Sequence, residues 1–211
     1  DGTDDLVYEA DTRIEPVKPD DDCDLTTGET IDTVVRCDVT WDPDVDVTTD
    51  GIVFGKVDSY GNSTGIDHGT VYGTVDAESD VDLDTATVKD DVTAGNDVTI
   101  TDESSIEGNI TTGPSGTINI DSDSTVEGTL SAGDDVGLDS VTVTGNVEGP
   151  DVDIDSSTVD GEVLGTSSVN LDGATITGDV YVDSSDFSCS DSTINGEDCS
   201  EYTGPKDPST Y

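Results

Sequence analysis

Methionine is absent from this chain of 211 residues, and one tryptophan, two phenylalanines and six tyrosines are its only aromatic residues. So few bulky side chains exclude a large globular core. Basic residues are scarce too: six Lys plus Arg stand against 51 Asp plus Glu, a formal net charge of -45. Four of the six precede residue 57, and Lys89 is the one basic residue between 57 and 205. Without a basic patch, nucleic acid is excluded as a partner, and so is direct binding to an anionic membrane surface. No apolar run has the length of a transmembrane helix or the form of a signal peptide, so the chain reads as a mature protein or as the soluble part of an anchored precursor. There is no CxxC pair and only one histidine, His68, which argues against a zinc centre. Phosphate loops, dinucleotide fingerprints, nucleophile elbows and the known calcium-loop patterns are missing as well.

What is present is one phrase written ten times, apolar-x-Gly-x-apolar. Val53-Phe54-Gly55-Lys56-Val57, Val71-Tyr72-Gly73-Thr74-Val75 and Val143-Thr144-Gly145-Asn146-Val147 are typical, and positions 37, 55, 73, 90, 108, 128, 145, 161, 178 and 196 are its centres. Cys37 and Asp90 replace the glycine, and the last copy, Ile194-x-Gly196-x-Asp198, lacks the final apolar residue. A second phrase, apolar-x-apolar followed by Asp, lies between these copies, as in Val81-Asp82-Leu83-Asp84 and Val152-Asp153-Ile154-Asp155. A period near eighteen residues with two short period-two strands per repeat predicts a solenoid. Low hydrophobicity with high charge often signals disorder. Disordered acidic tracts, however, do not hold valines in register over ten copies.

Alternation places Val, Ile and Leu on one side and Asp, Glu, Thr and Asn on the other. Strands this short bury their apolar side only by stacking coil on coil. The expected fold is all-β: a single β-solenoid of about ten coils of roughly 17–18 residues, narrow, triangular and, by the crossover rule, right-handed. The expected division is an N-terminal cap or arm over 1–34, the solenoid over 35–199 and a tail over 200–211. The glycine shares a side with its apolar neighbours, so it is expected to face inward where a Cβ does not fit. Asp90 then requires a local bend or a cation.

The outward positions stack charge. Asp121, Asp139, Asp155 and Asp172 follow the second phrase in four consecutive coils, and Glu162, Asp179 and Glu197 follow the glycine in three. Carboxylates about 4.8 Å apart repel by roughly 1 kcal/mol per pair in water. Near 1 M salt the screening length falls to about 3 Å and the penalty largely vanishes. Adaptation to high salt is the simplest reading. The rival is a cation ladder at Asp121, Asp139, Asp155 and Asp172, holding Ca2+ or monovalent cations. A local reading fits beside either: Asp at a corner caps its own turn. No other cofactor is expected.

Cys23 and Cys37 flank the start of the repeat, and Cys189 and Cys199 its end. Disulfides are favoured over metal ligation, with three connectivities open; local pairing would pin the terminal coils. Asn62 and Asn109 begin N-glycosylation sequons. Cysteines and sequons together point to the cell surface or exterior. Residues ahead of the repeat read either as a cap or as an arm that adds a strand to a neighbouring subunit, with Val7, Tyr8 and Ile14 as the arm residues. The tail from Glu201 is expected to be loose or docked on a neighbour. Serines, threonines and carboxylates are too common for any pairing of them to mark a catalytic site, and His68 reads as a loop residue.

The repeat over residues 35 to 198 resembles the bactofilin family. Those are scaffold proteins with a small right-handed β-helix that polymerise without nucleotide. The resemblance implies filaments built by end-to-end stacking; the terminal cysteine pairs and the sequons depart from the family. The expectation is therefore a non-enzymatic structural protein, a self-associating subunit of an extracellular filament, pilus-like fibre or surface assembly of a halophile. The alternative is a surface adhesin or glycan-binding module that uses one face of the solenoid. A polysaccharide-cleaving enzyme ranks last, because the acids lack a basic or aromatic platform over most of the rod.

Overall fold

Two apolar phrases per repeat, each too short to bury itself, are satisfied by stacking. The computed structural model describes residues 30–41, 44–60 and 63–211. Its strands are mostly two to four residues long; Val147–Asp155 and Val163–Asp172 are the two long ones. Among the described residues no helix is long and apolar enough to cross a membrane.

Each repeat winds round three faces. The first face carries the residues ahead of the glycine, from Val34–Val35 to Thr193–Ile194. Its sheet has 11 strands, and the last, Glu197–Asp198, is antiparallel, which leaves ten parallel rungs. Val71, Val88, Ile106, Val126, Val143 and Val159 are successive partners in this column. The second face follows the glycine, from Val39–Trp41 to Val180–Tyr181, and the third carries the second phrase, from Thr30–Ile31 to Phe187–Ser190. The two long strands run through the corner between these faces and join them into one 17-stranded sheet. Nine steps at about 4.8 Å give a ladder about 43 Å long. Inward Val, Ile and Leu from all three faces form one continuous core, with Val53, Val75, Ile106, Leu130 and Leu171 fully buried.

The phrase glycine does not face inward. It sits at the corner between the first and second faces, and Gly73, Gly108, Gly128 and Gly145 are partly exposed. Alternation loses its phase there because the chain bends between two inward residues. The glycine is required along the rod axis instead. A Cβ on Gly73 would lie 2.6 Å from the carbonyl oxygen of Gly55, 2.7 Å from its carbon and 2.8 Å from the Lys56 nitrogen. Asp90 occupies the same corner with its side chain exposed, and its Oδ1 accepts from the backbone of Asp91 at 2.9 Å, so no cation is needed there.

The first rung begins at Thr30, ahead of the expected boundary at 35, because Thr30 and Ile31 pair with Asp46 and Val47. The tenth copy does not close a coil. Asn195 and Gly196 both take left-handed φ, 51° and 79°, and turn the chain into an antiparallel hairpin pairing Ile194 with Glu197. Glu197 therefore leaves the column of Glu162 and Asp179.

Candidate functional site

The rod offers three places for function: the carboxylate rows on its corners, a short aromatic stack, and its two ends. At the glycine corner, Asp38, Asp91, Asn109 and Asn146 each accept from a backbone N–H one coil on, those of Lys56, Asn109, Thr129 and Glu162, at 2.7–3.0 Å. At the corner between the second and third faces, Asp44, Asp80 and Asp97 do the same for Ser63, Asp97 and Thr117. These side chains bind donors that the bend takes out of the ladder.

The third corner has an inner and an outer row. The inner row is buried serine: Ser104, Ser124, Ser157 and Ser192 accept from the N–H of Ala86, Ser104, Val141 and Ala174 at 2.8–3.2 Å. The sequence reading missed it. A signal was available, since the residue two before the first apolar position is small in nearly every repeat (Gly51, Gly69, Ala86, Ser104, Ser124, Ser157, Ala174 and Ser192).

The outer row contains the expected ladder. Asp139, Asp155 and Asp172 are register partners, and Asp121 directly follows the rung Ile118–Ile120 that pairs with Val136–Leu138. Asp139 and Asp155 accept from the hydroxyls of Ser140 and Ser156 at 3.0 and 2.9 Å, and Asp172 from Ser190 at 2.8 Å. The next residue takes left-handed φ in each coil, with Ser140 at 60° and Ser156 at 50°. Asp139 and Asp155 thus cap their own turns, while Asp172 ties its turn to the next coil.

Shallow grooves lie on the third face where Gly65 and Gly137 replace an outward side chain; the second is lined by Asn119, Asp121, Asp139, Asp153 and Asp155. Carboxylate oxygens of Asp134, Asp135 and Asp151 lie within 4.8 Å of one another. Desolvation, then repulsion from Asp134, Asp151 and Asp153, pushes the Asp135 carboxyl above its ordinary range. Burial, then Asp80, raises Asp82, opposed by the Thr99 hydroxyl. Desolvation leads in both, and like-charge repulsion adds to it.

The aromatic stack lies outside the first face. The rings of Phe54 and Tyr72 are 4.7 Å apart and nearly parallel, at 9°. The Arg36 guanidinium covers Phe54 at 5.0 Å from its centroid. Lys89, in the next coil, pairs with Glu107. Two of the ring faces are spent on each other and one on Arg36, and Tyr72 remains exposed. His68 is exposed, takes left-handed φ at 59° and bonds the Asp67 carboxylate through Nδ1, which raises its pKa.

At the C-terminal end, Cys189 and Cys199 form a disulfide with Cα atoms 5.8 Å apart. Cys37 is disulfide-bonded too, and Cys23 lies outside the described residues. The disulfide fits an oxidising compartment. The tail is docked on its own solenoid rather than loose or on a neighbour. Lys206 forms a parallel bridge with Tyr181, giving its N–H to Val180 and taking one from Val182. Its ammonium pairs with Asp179 and lies 5.4 Å from the Tyr181 centroid. The Tyr211 hydroxyl donates to Glu148 and accepts from Asn146 at 3.0 Å. Burial, then the bond to Glu148, pushes that hydroxyl up to about 12.

No protein-family model, curated protein or solved structure matches the chain. Of what the expected resemblance implied, the structure bears out a β-solenoid of stacked short coils. Of the expected site residues, Cys189 and Cys199 are brought together and Asp139, Asp155 and Asp172 are aligned. Asn109 is exposed, and its amide nitrogen donates to Asp91 at 3.0 Å. Asn62, Val7, Tyr8 and Ile14 lie outside the described residues.

Proposed function

We propose that the chain is a non-enzymatic structural protein, a self-associating subunit of an extracellular filament, pilus-like fibre or surface assembly that works in high salt. The observation that carries this is the third face. It is one ladder from Thr30–Ile31 to Phe187–Ser190, and among the described residues each terminal rung is paired on one side only. Exposed strand edges are templates for another chain. A contact between unlike ends does not close on itself and generates a filament. Plain coil-on-coil stacking is hindered by the hairpin and tail over the C-terminal end, so assembly uses an added segment. The in-register carboxylates of Asp139, Asp155 and Asp172 support the high-salt reading. The disulfide and the sequons at Asn62 and Asn109 support an extracellular location.

Sedimentation velocity over a range of protein concentrations in about 2–3 M salt tests the proposal. Species that grow with concentration are expected, and one small species at every concentration would sink it. The grooves at Gly65 and Gly137 favour a second reading, a glycan-binding module on the third face. That reading predicts a melting temperature raised by oligosaccharide with no assembly.

A further inference from the structure

The C-terminal end is capped on two of its three faces. Glu197–Asp198 pairs with the last rung of the first face, and Lys206 pairs with the last rung of the second. Tyr202 packs edge-on against Phe187 at 6.1 Å between ring centroids and Cys199 is bonded to Cys189, so the Phe187 and Cys189 side chains are partly covered. The backbone of Phe187–Ser190, the last rung of the third face, receives no such strand among the described residues. In this ladder the inward residues give their N–H to the following coil: Val45 to Ser63, Val81 to Asp97 and Val169 to Asp186, at 2.9–3.2 Å. By the same pattern Phe187 and Cys189 aim their N–H groups at a coil that is not there. A groove lined by Cys189, Ser190, Asp191, Asp198, Cys199 and Ser200 runs beside them.

We infer that residues Leu6–Ala10 of a second copy add to this edge as one further strand, a step that rests on the filament reading above. The first rung, Thr30–Ile31, opens the same face at the opposite end, so the chain upstream of Thr30 starts from the third face. In a head-to-tail pair the two open ends of that face adjoin, and the upstream segment lies at the junction. Leu6-Val7-Tyr8-Glu9-Ala10 is apolar enough and long enough to match a four-residue edge. Arg13 and Lys18 follow it in sequence and are complementary in charge to the exposed Asp186, Asp191 and Asp198 around the edge. Reaching the edge of its own chain would drag Asp20, Asp21, Asp22 and Asp24 along about 43 Å of carboxylate-lined rod, so the second copy is the favoured acceptor.

Amide hydrogen exchange on the full chain in high salt tests this, comparing the parent with a Val7→Asp plus Tyr8→Asp variant. The parent should assemble and protect the Phe187 and Cys189 amides at least about 100-fold over the variant, while Val169 stays protected in both. Assemblies in which the Phe187 and Cys189 amides exchange as fast as in the variant would overturn the inference and leave the filament reading standing. Protection of these amides in a dilute monomeric parent would also overturn it, because the segment would then serve its own chain. A parent that fails to assemble at every salt concentration would overturn inference and reading together.

Discussion

Replacing Gly73 by alanine isolates the constraint that sets the repeat. The added Cβ would meet only backbone, at 2.6–2.8 Å from Gly55 and Lys56. Relief requires several tenths of an ångström of axial separation at a corner held by two bonds, Tyr72 N–H to Val53 at 2.8 Å and Gly73 N–H to Gly55 at 3.2 Å. Overpacking of this kind costs about 1–3 kcal/mol, and a weakened hydrogen bond adds about 1 kcal/mol. The loss of unfolded-state freedom returns about 0.4–1 kcal/mol. The net destabilisation is about 1–3.6 kcal/mol, which lowers the melting temperature of a chain this size by roughly 2–14 °C. Gly137→Ala is the control. Its Cβ would lie 2.9 Å from Asn119 Oδ1, the end of an exposed side chain that can swing away. The entropic gain then dominates, and the variant should match or slightly exceed the parent. Thermal unfolding followed by circular dichroism in about 1 M salt, where charge is screened, reads both. A Gly73→Ala chain as stable as Gly137→Ala would refute the argument that axial close approach requires the corner glycine.

Three further outcomes follow from the corners and the cap. Ser157→Ala leaves the buried Val141 N–H without its acceptor and should cost about 1–3 kcal/mol, measured by urea unfolding. Because the Asp135 and Asp82 carboxyls titrate above their ordinary value, the native state holds their protons more tightly than the unfolded chain does. Their destabilisation is absent below the ordinary carboxyl range, grows as pH rises through the raised value and is complete above it. Asp135→Asn should therefore raise the melting temperature at neutral pH in about 0.1 M salt, and the part of the gain due to like-charge repulsion should be lost near 1 M; an equal gain in both salts would leave desolvation as the whole cause. Converting Cys189 and Cys199 to serine opens a crosslink spanning 10 residues and should cost roughly 2–3 kcal/mol, with hydrogen exchange rising only in the last coils.

The coil was legible because period and alternation both report which residues must be buried, and Val71, Val88, Ile106 and Val126 stack as their spacing requires. The orientation of the glycine was not legible. Period-two reasoning assumes a continuous strand, and the chain bends at that residue. The serine row reads as ordinary turn composition until Ser104, Ser157 and Ser192 are seen as buried acceptors one coil apart. The tail lies outside the repeat. Pairing of Lys206 with Tyr181, and of Tyr211 with Glu148 and Asn146, depends on contacts that no spacing encodes. The acidic rows were visible, but their hydrogen bonding was not, because it depends on which carboxylates lie at bends.

Negative-stain electron microscopy of the purified chain in about 2–3 M salt tests the central claim most directly. Fibres with an axial repeat at or somewhat above about 43 Å, one ladder plus the junction, are expected. Isolated rods of that length at every concentration would contradict it.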